Sequence, residues 1–279
     1  MSVNTVNERL ARLTGLGTSV WLDQIGRSLI EDGTLARFVD QYSLRGMTSN
    51  PAIFEKAILE SDDYDAIISE GFADGRTAVE IFHDIAVADV KAAAGVLRSV
   101  WEATAGYDGF VSLEVSPELA RDTAGKTLEE ARSYWKLVDA PNLMIKIPGT
   151  PEGLEYIEQG TYEGINVNIT LLFSVERYAD VAESYIKGLE RRHAEGLSLD
   201  VHSVASFFVS RVDTVVDKQL AEIGRSDLAG KAAIANARAA YAHFKQVFHG
   251  ERFAELKAAG APVQRPLWAS TGTKNPEYS

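Results

Sequence analysis

Seven short apolar runs, separated by segments with helical periodicity, are the feature that most constrains how this 279-residue chain can fold. Each run is rich in β-branched or apolar residues and is followed by polar turn chemistry, which predicts a strand. Strands that alternate with helical patterns indicate βα units, and therefore an α/β fold with a parallel sheet. The predicted strands are Thr18 to Asp23, Arg45 to Thr48, Gly109 to Glu114, Asn142 to Ile147, Gly164 to Thr170, Val201 to Ser206 and Val263 to Ser270.

The segments between the strands carry helix signals. Both Ser116-Pro117 and Thr150-Pro151 have the pattern of a helix N-cap followed by a first-turn proline. Because no Pro- or Ser-rich linker divides the sequence, one domain over residues 1–279 is expected. Long helices are predicted over Thr77 to Ala105, Ser174 to Glu195 and Asp227 to Ala259. The helical spacing of Val6, Leu10 and Leu13 predicts a further amphipathic helix, packed on the domain before the first strand.

Composition excludes several classes of function. The net charge of −12 opposes binding to nucleic acid or to an anionic membrane surface, but leaves phosphorylated small molecules as candidate ligands. The chain has no cysteine, and its five histidines are scattered, so neither a disulfide nor a metal site is expected. The first residues lack the pattern of a signal peptide, and no stretch is apolar enough to span a bilayer. The cytoplasm is the expected location.

Lys146 interrupts the apolar run Leu143-Met144-Ile145 immediately before Ile147 and Pro148. One interpretation is a lysine whose stem lies along apolar surface while its head reaches water at the strand end. The other is a buried lysine. A buried ammonium loses its solvation, which favours the neutral amine that can attack a carbonyl and form an imine. This segment alone favours the first interpretation.

The other predicted strands also end in residues capable of acid-base or hydrogen-bonding chemistry. Side chains alternate along a strand, so Asn168 and Thr170 share one face, and Lys146 lies opposite Ile145 and Ile147. In a (β/α)8 barrel, polar groups of this kind converge at the C-terminal ends of the strands, where such enzymes place their chemistry. Taken singly, each of these strand-end polar residues could be a helix cap or a turn former, but together they favour an active site. Besides Lys146, Asn168 and Thr170, the strand-end polar residues are Asp23, Thr48, Asn50, Glu114, Ser206 and Ser270.

These residues lie in strings that resemble the transaldolase family. The string from Gly46 to Phe54 is similar to its first signature, and Leu143 to Leu154, centred on Lys146, is similar to its second. The resemblance continues through Gly164 to Ser174 and Ser206 to Arg211, so that it covers almost the whole chain. It implies a (β/α)8 TIM barrel of the class I aldolase group, with an extra N-terminal helix.

The resemblance implies transfer of a dihydroxyacetone unit in the non-oxidative pentose phosphate pathway. The donor would be sedoheptulose 7-phosphate or fructose 6-phosphate, and the acceptor erythrose 4-phosphate or glyceraldehyde 3-phosphate. Lys146 would form the imine and no cofactor would be needed. Asp23 would move the proton of the donor's C4 hydroxyl, and Glu114 and Thr170 would work through a water during imine formation. Asn50 and Asn168 would bind donor hydroxyls, with Thr48 and Ser206 completing the polar lining.

The substrate phosphate needs a cation, and the resemblance assigns Arg211, with Phe208 of the same motif also in the substrate-binding set. An ordinary ion pair with Asp213 or with a neighbouring helix is the alternative role for Arg211. The chain departs from family members that have an arginine two residues after Ser270, because Gly272 stands there. Lys274 is the candidate replacement. Tyr156 also departs from the family pattern, and its place on a helix favours packing over chemistry.

A closed barrel needs eight strands, and Ser279 follows soon after the seventh. Three explanations compete: a fragment of a longer gene product, a barrel closed by a partner chain, or a degraded relative without activity. The fragment is the one we expect, with the last strand and helices missing. An aldolase that releases the three-carbon unit and a non-catalytic fragment that at most binds sugar phosphates remain the alternative functions. The assembly is expected to be a monomer or a homodimer.

Overall fold

The structure is a computed structural model that describes residues 6–276 and 278. Seven strands follow one another in the sheet in the order β1 to β7, and the β1–β2, β2–β3, β5–β6 and β6–β7 pairs are parallel. This order, with helices between successive strands, is that of the (β/α) barrel class. The strands are β1 Val20–Leu22, β2 Leu44–Thr48, β3 Phe110–Glu114, β4 Leu143–Pro148, β5 Val167–Leu172, β6 Ser203–Phe208 and β7 Gln264–Ala269.

Twelve α-helices lie among the described residues, together with two short 3-10 helices at Pro117–Arg121 and Ser226–Leu228. The α-helices are α1 Glu8–Gly15, α2 Arg27–Glu31, α3 Thr34–Gln41, α4 Pro51–Leu59, α5 Asp65–Ala73, α6 Ala78–Ala103, α7 Lys126–Val138, α8 Gly153–Glu163, α9 Val175–Ala194, α10 Ser210–Glu222, α11 Ala232–Phe248 and α12 Glu251–Ala258. No helix of this described part of the chain has the length and hydropathy needed to cross a membrane.

The chain divides into two compact units. The first runs up to Pro117 and includes Glu130–Ile145, and the second consists of Glu118–Glu129 and the residues from Lys146 onward. In the first unit, β2 packs closely on β1, because a Cβ on Gly46 would lie 2.3 Å from the ring of Trp21. In the second unit, the end of β4 lies close to β5: a Cβ on Gly149 would meet Leu172 at 2.6 Å. Both glycines therefore permit close approach of neighbouring strands.

All seven predicted strands are present, and the α/β class is confirmed. The central strands are buried along almost their whole length, whereas the residues of β1 and most residues of β7 are only half-buried. β1 and β7 are the two ends of the strand order, and no eighth strand lies within the described ranges. A strand at the end of this order has a neighbouring strand on one side only, which accounts for its greater exposure.

Two of the helix predictions are confirmed and one is wrong. α6 and α9 match the predicted helices within two residues at each end. The predicted single helix from Asp227 to Ala259 is instead a 3-10 turn followed by α11 and α12. The break falls at Gly250, which is extended (ψ 169°) and where a Cβ would lie 2.5 Å from the carbonyl oxygen of Gln246. Buried apolar residues lie on both sides of this break, at Phe244 and Phe248 in α11 and at Phe253 and Leu256 in α12, so the apolar pattern of the sequence does not reveal it.

The two proline-containing caps differ in outcome. Ser116-Pro117 begins only the short 3-10 helix, and the regular helix α7 starts at Lys126, so the prediction of an α-helix start there is wrong. At the second site, α8 starts at Gly153 with Glu152 as its N-cap, two residues later than predicted, although Thr150 Oγ1 accepts a 3.2 Å hydrogen bond from the Gly153 N–H. The predicted N-terminal helix exists as α1, but none of its side chains is fully buried.

Candidate active site

Lys146 lies in the middle of β4 and its side chain is buried, with only 6% of the residue exposed. All six residues of this strand are buried. The structure therefore favours a buried lysine over one whose head lies in solvent. The backbone beyond it is tied to the neighbouring strand, because the Gly149 N–H donates a 2.8 Å hydrogen bond to the Thr170 carbonyl on β5.

The second unit also brings two of the predicted amide and hydroxyl groups together. Ser206 Oγ on β6 donates a 2.7 Å hydrogen bond to Asn168 Oδ1 on β5, and both residues are buried. Accepting this bond fixes the orientation of the Asn168 amide, with its oxygen turned towards Ser206. Thr170, two residues further along β5, is only 1% exposed.

The candidate phosphate ligands stand at the start of α10. Arg211 is exposed, and its guanidinium carbon lies 4.7 Å over the centre of the Phe208 ring, in cation–π contact. Asp213 does not pair with it; instead its Oδ1 accepts a 2.8 Å hydrogen bond from the Ala233 N–H. Within the described ranges, Arg211 makes no ion pair, so the alternative role suggested by the sequence is wrong.

Ser270 and Lys274 follow β7. Ser270 adopts a positive φ of 56°, and its carbonyl accepts a 3.0 Å hydrogen bond from the Ser210 N–H at the first residue of α10. The Val209 N–H is bound in the same way to the Ala269 carbonyl, at 2.9 Å. These bonds fix the turn that carries Arg211. Lys274 is exposed, and its role as the second cation stays a prediction.

The other four predicted residues belong to the first unit. Asp23 is exposed just after β1, and Glu114 is half-buried at the end of β3. Thr48 is half-buried at the end of β2, and its Oγ1 has no hydrogen-bond partner among the described residues. Asn50 is the N-cap of α4: its Oδ1 accepts a 2.9 Å bond from the Ile53 N–H, and its role in substrate binding stays a prediction.

The segment that follows Asp23 is anchored by a buried network that the sequence did not suggest. Asp89 of α6, 3% exposed, accepts hydrogen bonds from Arg27 Nη2 at 2.9 Å and from the Tyr64 hydroxyl at 2.7 Å. The Tyr64 hydroxyl in turn accepts the Arg27 N–H at 2.8 Å. Burial, reinforced by the Asp89 carboxylate, raises the pKa of Tyr64. Nothing in the periodicity of α6 marks Asp89 except that a charge falls on its apolar face.

A second set of contacts holds the segment just after Glu114. Glu130 Oε2 of α7 accepts a 2.6 Å hydrogen bond from the Ser116 N–H, and Glu130 Oε1 lies 3.4 Å from His83 Nε2. Burial is the main cause of the raised pKa of Tyr134, with the Glu130 carboxylate contributing further. The backbone two residues after Glu114 is therefore fixed by a side chain from the following helix.

Tyr156 is a packing residue, as its helical position indicated. Its hydroxyl accepts the Gly125 N–H at 3.1 Å and donates to the Asp122 carbonyl at 3.2 Å.

Across the described ranges, no group of three or more histidine or carboxylate side chains is arranged to hold a metal ion.

A lysine buried within a strand, with a hydrogen-bonded amide and hydroxyl on the two strands that follow it, is compatible with an enzyme of the Schiff-base aldolase class. The transaldolase/fructose-6-phosphate aldolase family model matches residues 20–279 of the chain. The chain therefore belongs to this family and is an enzyme.

Individual relatives agree with this assignment. A transaldolase of Saccharopolyspora erythraea is 50% identical over 277 residues, which cover 99% of this chain and 75% of that protein. A transaldolase of Thermobifida fusca is 52% identical over 272 residues, covering 96% of this chain and 74% of the relative. A transaldolase of Mycobacterium tuberculosis is 49% identical over 278 residues, which cover 98% of this chain and 74% of that protein. The chain is thus a transaldolase-type enzyme.

Proposed function

We propose that the enzyme transfers a dihydroxyacetone unit from sedoheptulose 7-phosphate or fructose 6-phosphate to an aldose phosphate, through an imine on Lys146. The observation that carries the proposal is the burial of Lys146 within a fully buried strand. A lysine held inside a strand of the sheet has its side chain restrained by its neighbours, and a positioned amine is the nucleophile that imine formation requires.

In the first half of the reaction, Lys146 Nζ attacks the ketose C2 carbonyl and water leaves, which gives a protonated imine. We assign Glu114 and Thr170 to hold and move protons through a water during this step. The Asp23 carboxylate then takes the proton of the C4 hydroxyl as the C3–C4 bond breaks. The electron pair of that bond passes into the imine, giving an enamine on Lys146, and the first aldose departs.

In the second half, C3 of the enamine attacks the acceptor aldehyde, and Asp23 returns its proton to the new C4 oxygen. Water adds to the imine carbon and releases the new ketose, so that atoms and charge balance over the cycle. Between the halves, Asn168 and Asn50 bind hydroxyls of the three-carbon unit, which limits its loss or protonation. The hydrogen bond from Ser206 supports this assignment for Asn168. Arg211 binds the substrate phosphate.

The enzyme could instead release the three-carbon unit as an aldolase does, because the family model covers both activities. The names of the relatives favour transfer. A product assay with fructose 6-phosphate separates the two functions. Transfer requires erythrose 4-phosphate and yields sedoheptulose 7-phosphate, whereas an aldolase releases free dihydroxyacetone without an acceptor. The cytoplasmic location and the monomeric or dimeric state stay predictions.

The imine is tested by borohydride reduction in the presence of fructose 6-phosphate, followed by peptide mass analysis. We expect a reduced three-carbon adduct at Lys146, and none in Lys146→Ala. Lys136→Ala provides the matched control, because Lys136 lies outside the site, in the last turn of α7. Absence of an adduct from a protein shown to be folded by circular dichroism would contradict the imine mechanism.

A further inference from the structure

The register between β5 and β6 shifts at the end of the strand pair. Ile169 pairs with Ala205 and Leu172 pairs with Phe207, so β5 has two residues between these pairs where β6 has one. The extra residue is accommodated at Leu171, whose φ is +62°. A bulky residue seldom adopts this conformation, and such outliers collect at functional sites. The bulge has a direct consequence for the next residue, Phe173.

Continuation of the shifted register places Phe173 beside Phe208. Their rings are stacked, with centroids 5.0 Å apart and an interplanar angle of 19°. Without the extra residue, Leu172 would lie next to Phe208 instead, since one residue of slip moves each side chain to the other face. The backbone of Phe173 is also held from α11, because Asn236 Nδ2 donates a 2.7 Å hydrogen bond to its carbonyl oxygen.

The same Phe208 ring contacts Arg211. The guanidinium lies 4.7 Å from the ring centre, and within the part of the chain that the structure describes it has neither an ion pair nor a hydrogen bond. The aromatic contact is therefore what restrains an otherwise exposed and flexible side chain. A cation held over an aromatic face keeps its N–H groups directed outward, where they can bind an anion.

We infer that Phe173 is a positioning residue for the substrate phosphate, because it fixes the Phe208 ring that in turn holds the Arg211 guanidinium. The inference rests on the proposed binding of phosphate by Arg211. An arginine that is already ordered loses less side-chain freedom when the phosphate binds, and this preorganisation increases affinity. Phe173 itself is 40% exposed, so its ring is not a large part of the hydrophobic core.

The test compares Phe173→Leu with three other variants. Phe173→Tyr retains the stacking ring and serves as the conservative rescue. Tyr241→Leu is the matched control, because Tyr241 is also an exposed aromatic of this unit, stacked on Phe244 at 5.6 Å. Arg211→Gln tests the phosphate site itself. Each variant is assayed with saturating fructose 6-phosphate, using erythrose 4-phosphate or unphosphorylated D-glyceraldehyde as acceptor.

For Phe173→Leu we expect the KM for erythrose 4-phosphate to rise about 2- to 5-fold, the range that loss of one cation–π restraint produces. The KM for D-glyceraldehyde should stay at its wild-type value because this acceptor has no phosphate, and kcat should stay unchanged because saturating fructose 6-phosphate offsets a weaker contact with the donor's own phosphate. Phe173→Tyr and Tyr241→Leu should behave like the wild type. The inhibition constant of inorganic phosphate, tested as a competitive inhibitor, should rise in parallel with the KM for erythrose 4-phosphate.

The outcomes separate the inference from the function on which it rests. If Phe173→Leu leaves both KM values unchanged while Arg211→Gln raises that of erythrose 4-phosphate, Phe173 does not position the arginine. An equal rise for both acceptors would show a general structural effect and would also overturn the inference. If Arg211→Gln is itself without effect on either acceptor, the phosphate assignment fails, although the adduct at Lys146 still forms.

Discussion

Ser206 on β6 donates a 2.7 Å hydrogen bond to the side-chain oxygen of Asn168 on β5, and both residues are buried within the second unit. This bond settles the orientation of an amide whose oxygen and nitrogen have opposite hydrogen-bonding roles. The oxygen accepts from Ser206. The proposed role of Asn168 in binding a hydroxyl and its contribution to stability therefore depend on the same contact.

Ser206→Ala should both destabilise the fold and weaken donor binding. Removal of one partner of a buried hydrogen bond costs about 1–3 kcal/mol, measurable by urea unfolding. The KM for fructose 6-phosphate should rise because the amide is no longer oriented, while the reduced adduct at Lys146 still forms. Ser133→Ala, at an exposed helical serine, is the control and should leave both quantities unchanged. An unaltered KM in Ser206→Ala would show that Asn168 needs no such orientation.

Asp23→Ala should separate imine formation from cleavage of the carbon–carbon bond. Without the base, the imine forms but the C4 hydroxyl keeps its proton, so borohydride should trap the complete six-carbon sugar phosphate rather than the three-carbon unit. Loss of a positioned general base slows a reaction by about 10²- to 10⁴-fold, and turnover should fall accordingly. Gln24→Ala, at the exposed neighbour, is the control. Wild-type cleavage by Asp23→Ala would refute the assignment.

Arg27→Ala should be strongly destabilising because it leaves the Asp89 carboxylate buried without its ion pair. Breaking a buried pair in this way costs about 3–5 kcal/mol, whereas Tyr64→Phe removes one hydrogen-bonding hydroxyl and should cost about 1–2 kcal/mol. Lys56→Ala, which removes an exposed pair with Glu60, should change the free energy of unfolding by less than about 0.5 kcal/mol. If Arg27→Ala lowers the free energy of unfolding by no more than Lys56→Ala does, the buried network contributes little to stability.

Stability should decrease as the pH falls below about 6.5, in part through His202. Burial lowers the pKa of this imidazole from its ordinary value of 6.5, although the Asp200 carboxylate at 2.9 Å opposes the shift and Arg265 adds to it. In this pH range the unfolded chain binds the proton more readily than the folded chain, so protonation favours unfolding. Above pH 6.5 this residue is neutral in both the folded and the unfolded chain, and its full contribution to the free energy of unfolding is present.

The measurement is the free energy of unfolding as a function of pH for the wild type, for His202→Gln and for His249→Gln, an exposed histidine used as the control. The decrease between pH 6.5 and 5 should be shallower in His202→Gln and unchanged in His249→Gln. If the two variants and the wild type have the same slope, His202 titrates alike in the folded and unfolded chains.

The sequence predicted the strands well because a buried parallel strand must be a short apolar run, and that requirement is local. The same reasoning identified Lys146, since a charge inside such a run stands out against its neighbours. It failed at Gly250, where the apolar periodicity continues although the backbone turns. It also missed the strained conformation of Leu171, because nothing in a leucine indicates a positive φ.

For the candidate site, too, the sequence identified some features and only the structure showed the others. The polar residues at the strand ends could be found by their position in the sequence, and family signatures gave them roles. Their partners could not, because a hydrogen-bond partner is a matter of distance in space. Asn50 as a helix cap, Ser206 as donor to Asn168, and Asp89 as acceptor for Arg27 all became evident only from coordinates.

By itself, then, the sequence determined the order of the strands along the chain and the α/β class, and it singled out Lys146 as the candidate nucleophile, because these depend on local pattern and residue chemistry. Only the tertiary structure decided that Lys146 is buried and that Phe173 lies against Phe208. The first depends on the residues that pack over a strand, and the second on one extra residue in β5. Both follow from packing between distant segments, which sequence periodicity does not record.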